Sequence, residues 1–180
     1  TGKILKMLNV LYPIERQSTH TEYNQNVEDV LERAVNDRNQ WLQMDKYSGY
    51  KETGVFCYFE LETNAPKIPF VAQAKIEGEW QEQASLFINK TRRVYPFFID
   101  PTGTEIPFQL IVFSKTDLLK IRSMVFIQNG YHPLIFTDPV SLHRFTSNTD
   151  NENFTINASG LVIQPSKNPH LFRHLLKFKK

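Results

Sequence analysis

The chain has 180 residues, with 21 basic and 19 acidic side chains and a formal net charge of +2. This length fits one domain over residues 1–180, since domains typically have ~100–200 residues, and it supports a core without disulfides. The single cysteine, Cys57, cannot form an internal disulfide, which favours a reducing, intracellular and most simply cytoplasmic location. The small net charge by itself indicates no anionic partner. No apolar run reaches the ~18 residues of a transmembrane helix, which excludes a membrane-spanning class.

The most regular pattern in the N-terminal part of the chain predicts a long amphipathic helix over residues 26–44. Asn26 is a suitable N-cap, and apolar residues then recur at helical spacing. The predicted buried face carries Val27, Leu31, Val35 and Leu42. Ahead of this helix, the apolar run at 3–14 predicts a first strand.

Residues 55–113 predict successive antiparallel strands, since 55–62 and 68–77 alternate with period two and 94–100 and 106–113 are apolar runs. The clearest segments are 55–62, 68–77, 94–100 and 106–113, and short turns separate them. Short links favour antiparallel neighbours, because a parallel crossover needs a dozen residues or more. The pattern therefore predicts a meander of four to five strands. Residues 79–90 fit a further strand, but their apolar positions also satisfy helical spacing.

The C-terminal part predicts a mixture of helices and short strands. A helix is predicted at 117–129, a short strand at 134–136, a short helix after Asp138-Pro139 and a strand at 154–164. The apolar residues of the last segment share one helical face, which predicts a basic amphipathic helix over about 169–180. The fold class is thus α+β: an antiparallel meander with a long N-terminal helix packed on it and a mixed C-terminal part.

One predicted hairpin carries residues that suit a metal site. Glu60 and Glu62 end one strand, and Gln73 and Lys75 lie on the next. Hard divalent cations bind oxygen ligands, and a nearby lysine can activate water or stabilise charge on a phosphate. The spacing resembles that of the PD-(D/E)xK metal-dependent nucleases, with Glu in place of the usual Asp. This resemblance implies Mg²⁺ and a catalytic set of Glu60, Glu62, Gln73 and Lys75.

The same four residues also fit an ordinary amphipathic hairpin in which Glu and Lys pair across strands. The segment at 79–90 discriminates between the two interpretations. A helix there would favour the nuclease topology, and a strand would count against it. His170 and His174, at i and i+4 of the predicted helix, suit a metal, but no third ligand accompanies them. We therefore predict no metal site there and expect both on the surface.

The end of the chain is locally basic. Residues 167–180 contain five Lys or Arg, two His and no acid. A basic amphipathic helix can contact nucleic acid or an acidic protein partner, or it can dock its apolar face on the sheet and leave its charges in water. The predicted nucleic-acid contacts are Arg92, Arg93, Arg173, Lys177, Lys179 and Lys180.

These patterns favour a non-catalytic binding module, alone or in a larger assembly, that contacts nucleic acid or a partner protein and needs no cofactor. The alternative is the metal-dependent nuclease. The seven glycines form no phosphate-binding loop and the chain has no GxSxG elbow, so no other enzyme class is indicated. The sequence indicates no particular small-molecule ligand.

Overall fold

The computed structural model of the protein describes residues 21–149 and 153–180, and in the first helix it describes side chains from Asn26 onward. The strand predicted at 3–14 lies outside the described residues. Helix α1 (Thr21–Leu42) confirms the predicted long helix, although it begins before Asn26. Its fully buried apolar residues are Val30, Leu31, Ala34 and Val35, while the predicted Val27 and Leu42 are half-buried.

Ten strands follow α1 in the described part of the chain and form two antiparallel sheets, which confirms the α+β class. They are β1 (Val55–Thr63), β2 (Ile68–Ile76), β3 (Glu79–Ile88), β4 (Val94–Ile99), β5 (Glu105–Val112), β6 (Leu119–Ile127), β7 (Leu134–Phe136), β8 (Phe154–Asn157), β9 (Gly160–Ile163) and β10 (His170–Lys177). A 3₁₀ helix (Ser48–Lys51) precedes β1, and helix α2 (Pro139–Thr146) lies between β7 and β8. As predicted, Asp138 caps α2 by accepting a hydrogen bond from the Ser141 amide at 2.7 Å.

The order of the strands differs from the predicted meander. The first sheet has the order β4-β1-β6-β9-β8, with β7 also paired to β6, and the second sheet has the order β10-β5-β2-β3. Among the described strands, only β2–β3, β6–β7 and β8–β9 are sequence neighbours that pair. The meander prediction is wrong because a short link can also cross to a facing sheet, which lies only ~10 Å away.

The core lies between the two sheets. Inward side chains of both sheets form one buried cluster, in which Phe126 of the first sheet contacts Phe108 of the second with ring centroids 5.2 Å apart. Helix α1 covers the opposite side of the first sheet, where Phe56, Tyr58 and Val125 are buried against it. The described residues thus form three layers, with a helix on the first sheet and the second sheet beneath.

Two predicted helices are strands, and each has a physical reason. The segment predicted as a helix at 117–129 contains β6, in which Arg122 is an extra residue opposite the Glu60–Leu61 step of β1. This bulge shifts the alternation by one residue, so Leu119, Ile121, Met124 and Phe126 all face the core. The resulting spacing imitates a helical period.

The predicted basic C-terminal helix is also wrong. Residues 170–177 form β10, which pairs with β5 from His170 opposite Val112 to Lys177 opposite Glu105. Phe172 and Leu176 are fully buried. The outward Leu171 and Leu175 are also apolar, and the two pairs together imitate the stripe of a helix. Among residues 21–149 and 153–180, no helix is long and apolar enough to cross a membrane.

The two C-terminal histidines lie in the strand and not on a helix surface. His170 is 1% exposed, and His174 is half-buried, with its ring stacked on Phe145 at a centroid distance of 4.9 Å. Burial lowers the pKa of His174 to about 4, aided by the charges of Arg144 and Lys177 and opposed by its hydrogen bond to the Phe145 carbonyl. The predicted surface role is therefore wrong for both residues.

The low pKa of His174 gives the fold a specific pH dependence. Its pKa is about 4 in the folded state and ~6.5 in an unfolded chain, so the unfolded state binds the proton more readily. We expect the free energy of unfolding to fall as the pH drops from 6.5 to 4, by at most ~1.4 kcal/mol per pH unit from this group. In urea denaturation at several pH values, His174→Leu should show a shallower loss than the original chain. If the free energy of unfolding falls equally with pH in both chains, His174 does not cause this pH dependence.

Candidate nucleic-acid interface

The outward side of the second sheet faces away from the core that lies between the two sheets. Its side chains alternate with core residues such as Phe70, Phe108 and Phe172. We call it the open face. It consists of Leu171, Arg173, Leu175 and Lys177 of β10, Glu105, Pro107, Gln109 and Ile111 of β5, Pro69, Val71, Gln73 and Lys75 of β2, and Trp80, Glu82, Ser85 and Phe87 of β3.

A row of polar side chains crosses the open face. Arg173, Gln109 and Gln73 lie directly opposite one another on three adjacent strands. The Arg173 Nε donates to the Gln109 Oε1 at 2.7 Å, and the Gln109 Nε2 donates to the Gln73 Oε1 at 2.6 Å. These bonds orient the three side chains across the sheet and hold the Arg173 guanidinium over its surface. Preorganised planar donors of this kind suit phosphate and base edges.

This row ends on β3 at Glu82, and Trp80 lies beside it, opposite Lys75. The Lys75 Nζ and the Arg173 Cζ each lie 5.8 Å from the centroid of its ring, within the ~6 Å range of a cation–π interaction. The register places Trp80 opposite Lys75, so the ring belongs to the outward side of β3, where it is half-buried. A half-buried ring beside two cations can stack on a planar ligand that carries negative charge.

A second aromatic site lies at the other end of the open face. Phe87 pairs with Pro69 and is 54% exposed, and the Lys67 Nζ lies 3.9 Å from the centroid of its ring. Next to it is a shallow depression of about 430 Å³, lined by Lys67, Ile68, Pro69, Phe113, Ser114, Lys115, Thr116 and Asp117. The charged side chains that line this depression are therefore two lysines and one aspartate.

The two glutamates of the predicted nuclease set lie on the other side of the molecule, beside α1. The Glu60 carboxylate accepts two hydrogen bonds from Arg33, at 2.6 and 2.9 Å, and one from the Tyr58 hydroxyl at 2.7 Å. Burial alone would raise the pKa of Glu60, but these bonds lower it below its usual value. The Glu62 carboxylate pairs with Arg122 at 2.8 Å and Arg93 at 3.1 Å, and the hydrogen bond from Arg122 lowers its pKa.

The predicted nuclease residues do not converge. Glu60 and Glu62 project from the first sheet, Gln73 and Lys75 project from the second sheet, and the core lies between them. The discriminating segment at 79–90 forms strand β3 and not a helix. Among the residues that the structure describes, no three His, Cys, Asp or Glu side chains are grouped so that they could hold a metal ion.

The predicted basic contacts also divide into two groups. Arg173 and Lys177 lie on the open face, and Lys179 and Lys180 follow β10, with the Lys180 Nζ 5.6 Å from the Tyr131 ring centroid. Arg92 and Arg93 follow β3 at the opposite edge of the sheet. Their guanidinium groups bind the Val94 carbonyl and the Glu62 carboxylate, so they are not part of the open face.

Trp80, Gln109 and Phe87 organise the open face, and none of them was among the predicted site residues. A usable signal was present, because Gln73 and Gln109 each stand between two apolar residues and Trp80 and Phe87 both lie in β3. Their proximity to Arg173 depends on the pairing of β10 with β5, which the helix prediction for 169–180 ruled out.

The chain was also compared with known proteins by family, sequence and structure. No protein-family model, no curated protein and no solved structure matches it. The geometry of the open face is therefore the basis for a proposed function.

Proposed function

We propose that the protein is a non-catalytic module that binds single-stranded nucleic acid on its open face. The observation that carries this proposal is Trp80, whose ring centroid lies 5.8 Å from the Lys75 Nζ and 5.8 Å from the Arg173 Cζ. An aromatic platform beside cations offers stacking to a base and ionic contacts to the adjoining phosphates. Unpaired bases stack on such rings at ~1–3 kcal/mol per base.

The shape of the surface favours a single strand over a duplex. The open face is made of strand residues and offers no helix to the major groove of DNA, whereas a strand with splayed bases can lie across it and stack on its aromatic side chains. The charge is also suitable, because cations outnumber acids on this surface and around its depression. The cations are Lys67, Lys75, Lys115, Arg173 and Lys177, and the acids are Glu82, Glu105 and Asp117.

The proposal can be tested by fluorescence anisotropy with a labelled, unstructured single strand of about twelve nucleotides, as DNA and as RNA. We expect binding at about 50 mM salt that weakens at about 200 mM, with a log–log slope of about −0.7 per neutralised phosphate. Trp80→Ala should weaken it by about 5- to 150-fold, the equivalent of one lost stacked base. Lys75→Gln together with Arg173→Gln should weaken binding and flatten the salt dependence.

A matched control is Lys46→Gln together with Lys51→Gln. This pair removes the same charge from the side of the molecule that carries α1, since Lys46 lies over Tyr47 and Tyr47 stacks on Phe98 of the first sheet. We expect it to bind nearly as the original chain does, and thermal melts should show that each variant folds. If both pairs weaken binding equally, the open face is not the site. If no oligonucleotide binds at low salt, the proposal is wrong and a protein partner is the alternative for this surface.

A further inference from the structure

The second aromatic site leads to an inference that rests on the proposed function. We infer that Phe87 and Lys67 form a second subsite for the same single strand, which takes one base on the ring and a phosphate between Lys67 and Lys115. The bound strand then runs along the strands of the second sheet, from Trp80 at one end to the depression at the other.

The exposure of Phe87 is the first support. Its ring is 54% exposed, whereas the inward aromatic rings of the second sheet, Phe70, Phe108 and Phe172, are fully buried. The ring already carries the Lys67 ammonium at 3.9 Å from its centroid. The site therefore repeats the arrangement at Trp80, with an aromatic ring next to a cation on the same side of the same strand.

Two rows of side chains lie between the two rings, first the polar row that ends at Glu82 and then a largely apolar row that ends at Ser85. Val71 and Ile111 are directly opposite each other, and Leu171 pairs with Ile111 in the same row. All three are half-buried. Base and sugar edges that lie on this second row contact apolar side chains and displace little water from polar groups. Cations lie at both ends of this path, Lys75 and Arg173 beside Trp80 and Lys67 beside Phe87, which suits a ligand that carries a phosphate near each ring.

The separation of the two rings sets the length of the ligand. Trp80 pairs with Lys75 and Phe87 pairs with Pro69, and these partners are six residues apart on β2. At ~3.3 Å per residue, the rings are ~20 Å apart. A stacked strand, which rises ~3.4 Å per nucleotide, covers this distance with about six nucleotides, and an unstacked strand covers it with fewer.

The test uses the emission of Trp80, after Trp41→Phe leaves it as the sole tryptophan. Oligothymidylates of about two to ten nucleotides are titrated against this chain. We expect quenching of Trp80 by all of them, with affinity that increases up to about six nucleotides and then levels off. Phe87→Ala together with Lys67→Gln should weaken binding of the octanucleotide by about fivefold or more and leave the trinucleotide unchanged.

The matched control is Val140→Ala together with Lys46→Gln, which removes an apolar side chain that is 65% exposed and a cation over a different ring. This control should bind both the octanucleotide and the trinucleotide as tightly as the original chain. If the octanucleotide binds the Phe87 and Lys67 variant as tightly as the original, the second subsite is wrong, while the Trp80 signal leaves the proposed function standing. If no oligonucleotide quenches Trp80 or binds by anisotropy, the proposed function fails and the second subsite fails with it.

Discussion

Gly160→Ala is expected to destabilise the fold strongly, because the position requires glycine for two separate reasons. Its φ is +123°, and a Cβ placed there would collide with the Ile121 carbonyl oxygen and lie 3.1 Å from the Arg122 Cα. A residue with a side chain in such a conformation costs ~1–3 kcal/mol, and forced overpacking typically costs a further ~1–3 kcal/mol. Gly160 begins β9 beside the bulge of β6, so the collision would push these strands apart.

Gly103→Ala is the matched control for this substitution. Gly103 has nearly the same φ, +125°, but a Cβ there would meet no atom within 4 Å. Gly103→Ala therefore measures the cost of a positive φ in a residue with a side chain, without the steric collision that occurs at Gly160. In urea denaturation, Gly160→Ala should lose ~1–3 kcal/mol more than Gly103→Ala, a difference of several degrees in the melting temperature. Equal losses would show that β6 and β9 can separate at no cost.

The parts of the fold that were predicted correctly are those whose pattern is set locally. Helix α1 was predictable because one helical stripe is apolar and the rest is polar. β1 and β2 were predictable because their core positions, such as Cys57, Phe59, Phe70 and Ala72, follow strict alternation. In these segments the burial of each residue follows from its own element alone.

The elements that were predicted wrongly are those whose burial depends on contacts between distant segments of the chain. β6 is buried on both faces, with Phe126 facing the second sheet and Val125 facing α1, so it lacks the polar alternation that marks a half-exposed strand. β10 has Leu171 and Leu175 on the open face because they form rows with β5. The alternation of residues within a strand does not show which other strand it pairs with. The order of the strands in each sheet could therefore not be predicted from the sequence.

The candidate site was only partly predictable for the same reason. Arg173 and Lys177 were identified from the local density of basic residues, and that part of the prediction needed no tertiary structure. The position of Arg173 over Gln109 and toward Trp80 requires three strand pairings, β10 with β5, β5 with β2 and β2 with β3. A site that is assembled across a sheet therefore appears only once the register of every strand is known.

Phe126→Ala is expected to cause a large loss of stability. The ring lies between the two sheets, with centroid distances of 5.7 Å to Phe59, 5.2 Å to Phe108 and 5.9 Å to Phe136. Its removal loses the transfer free energy of the ring and leaves a cavity that the two sheets cannot easily close, which together cost ~3–5 kcal/mol. For a chain of this size we expect the melting temperature to fall by about 6–20 °C.

Phe87→Ala is the control, since it deletes the same side chain at a position that is 54% exposed. Surface substitutions usually change stability by less than ~0.5 kcal/mol, so its melting temperature should stay within about 2 °C of the original. This comparison also separates packing from ligand binding, because a Phe87 variant that melts normally and binds long oligonucleotides weakly has lost a contact and not its fold. If Phe126→Ala and Phe87→Ala lower the melting temperature by similar amounts, the aromatic rings between the two sheets do not form a tightly packed core around Phe126.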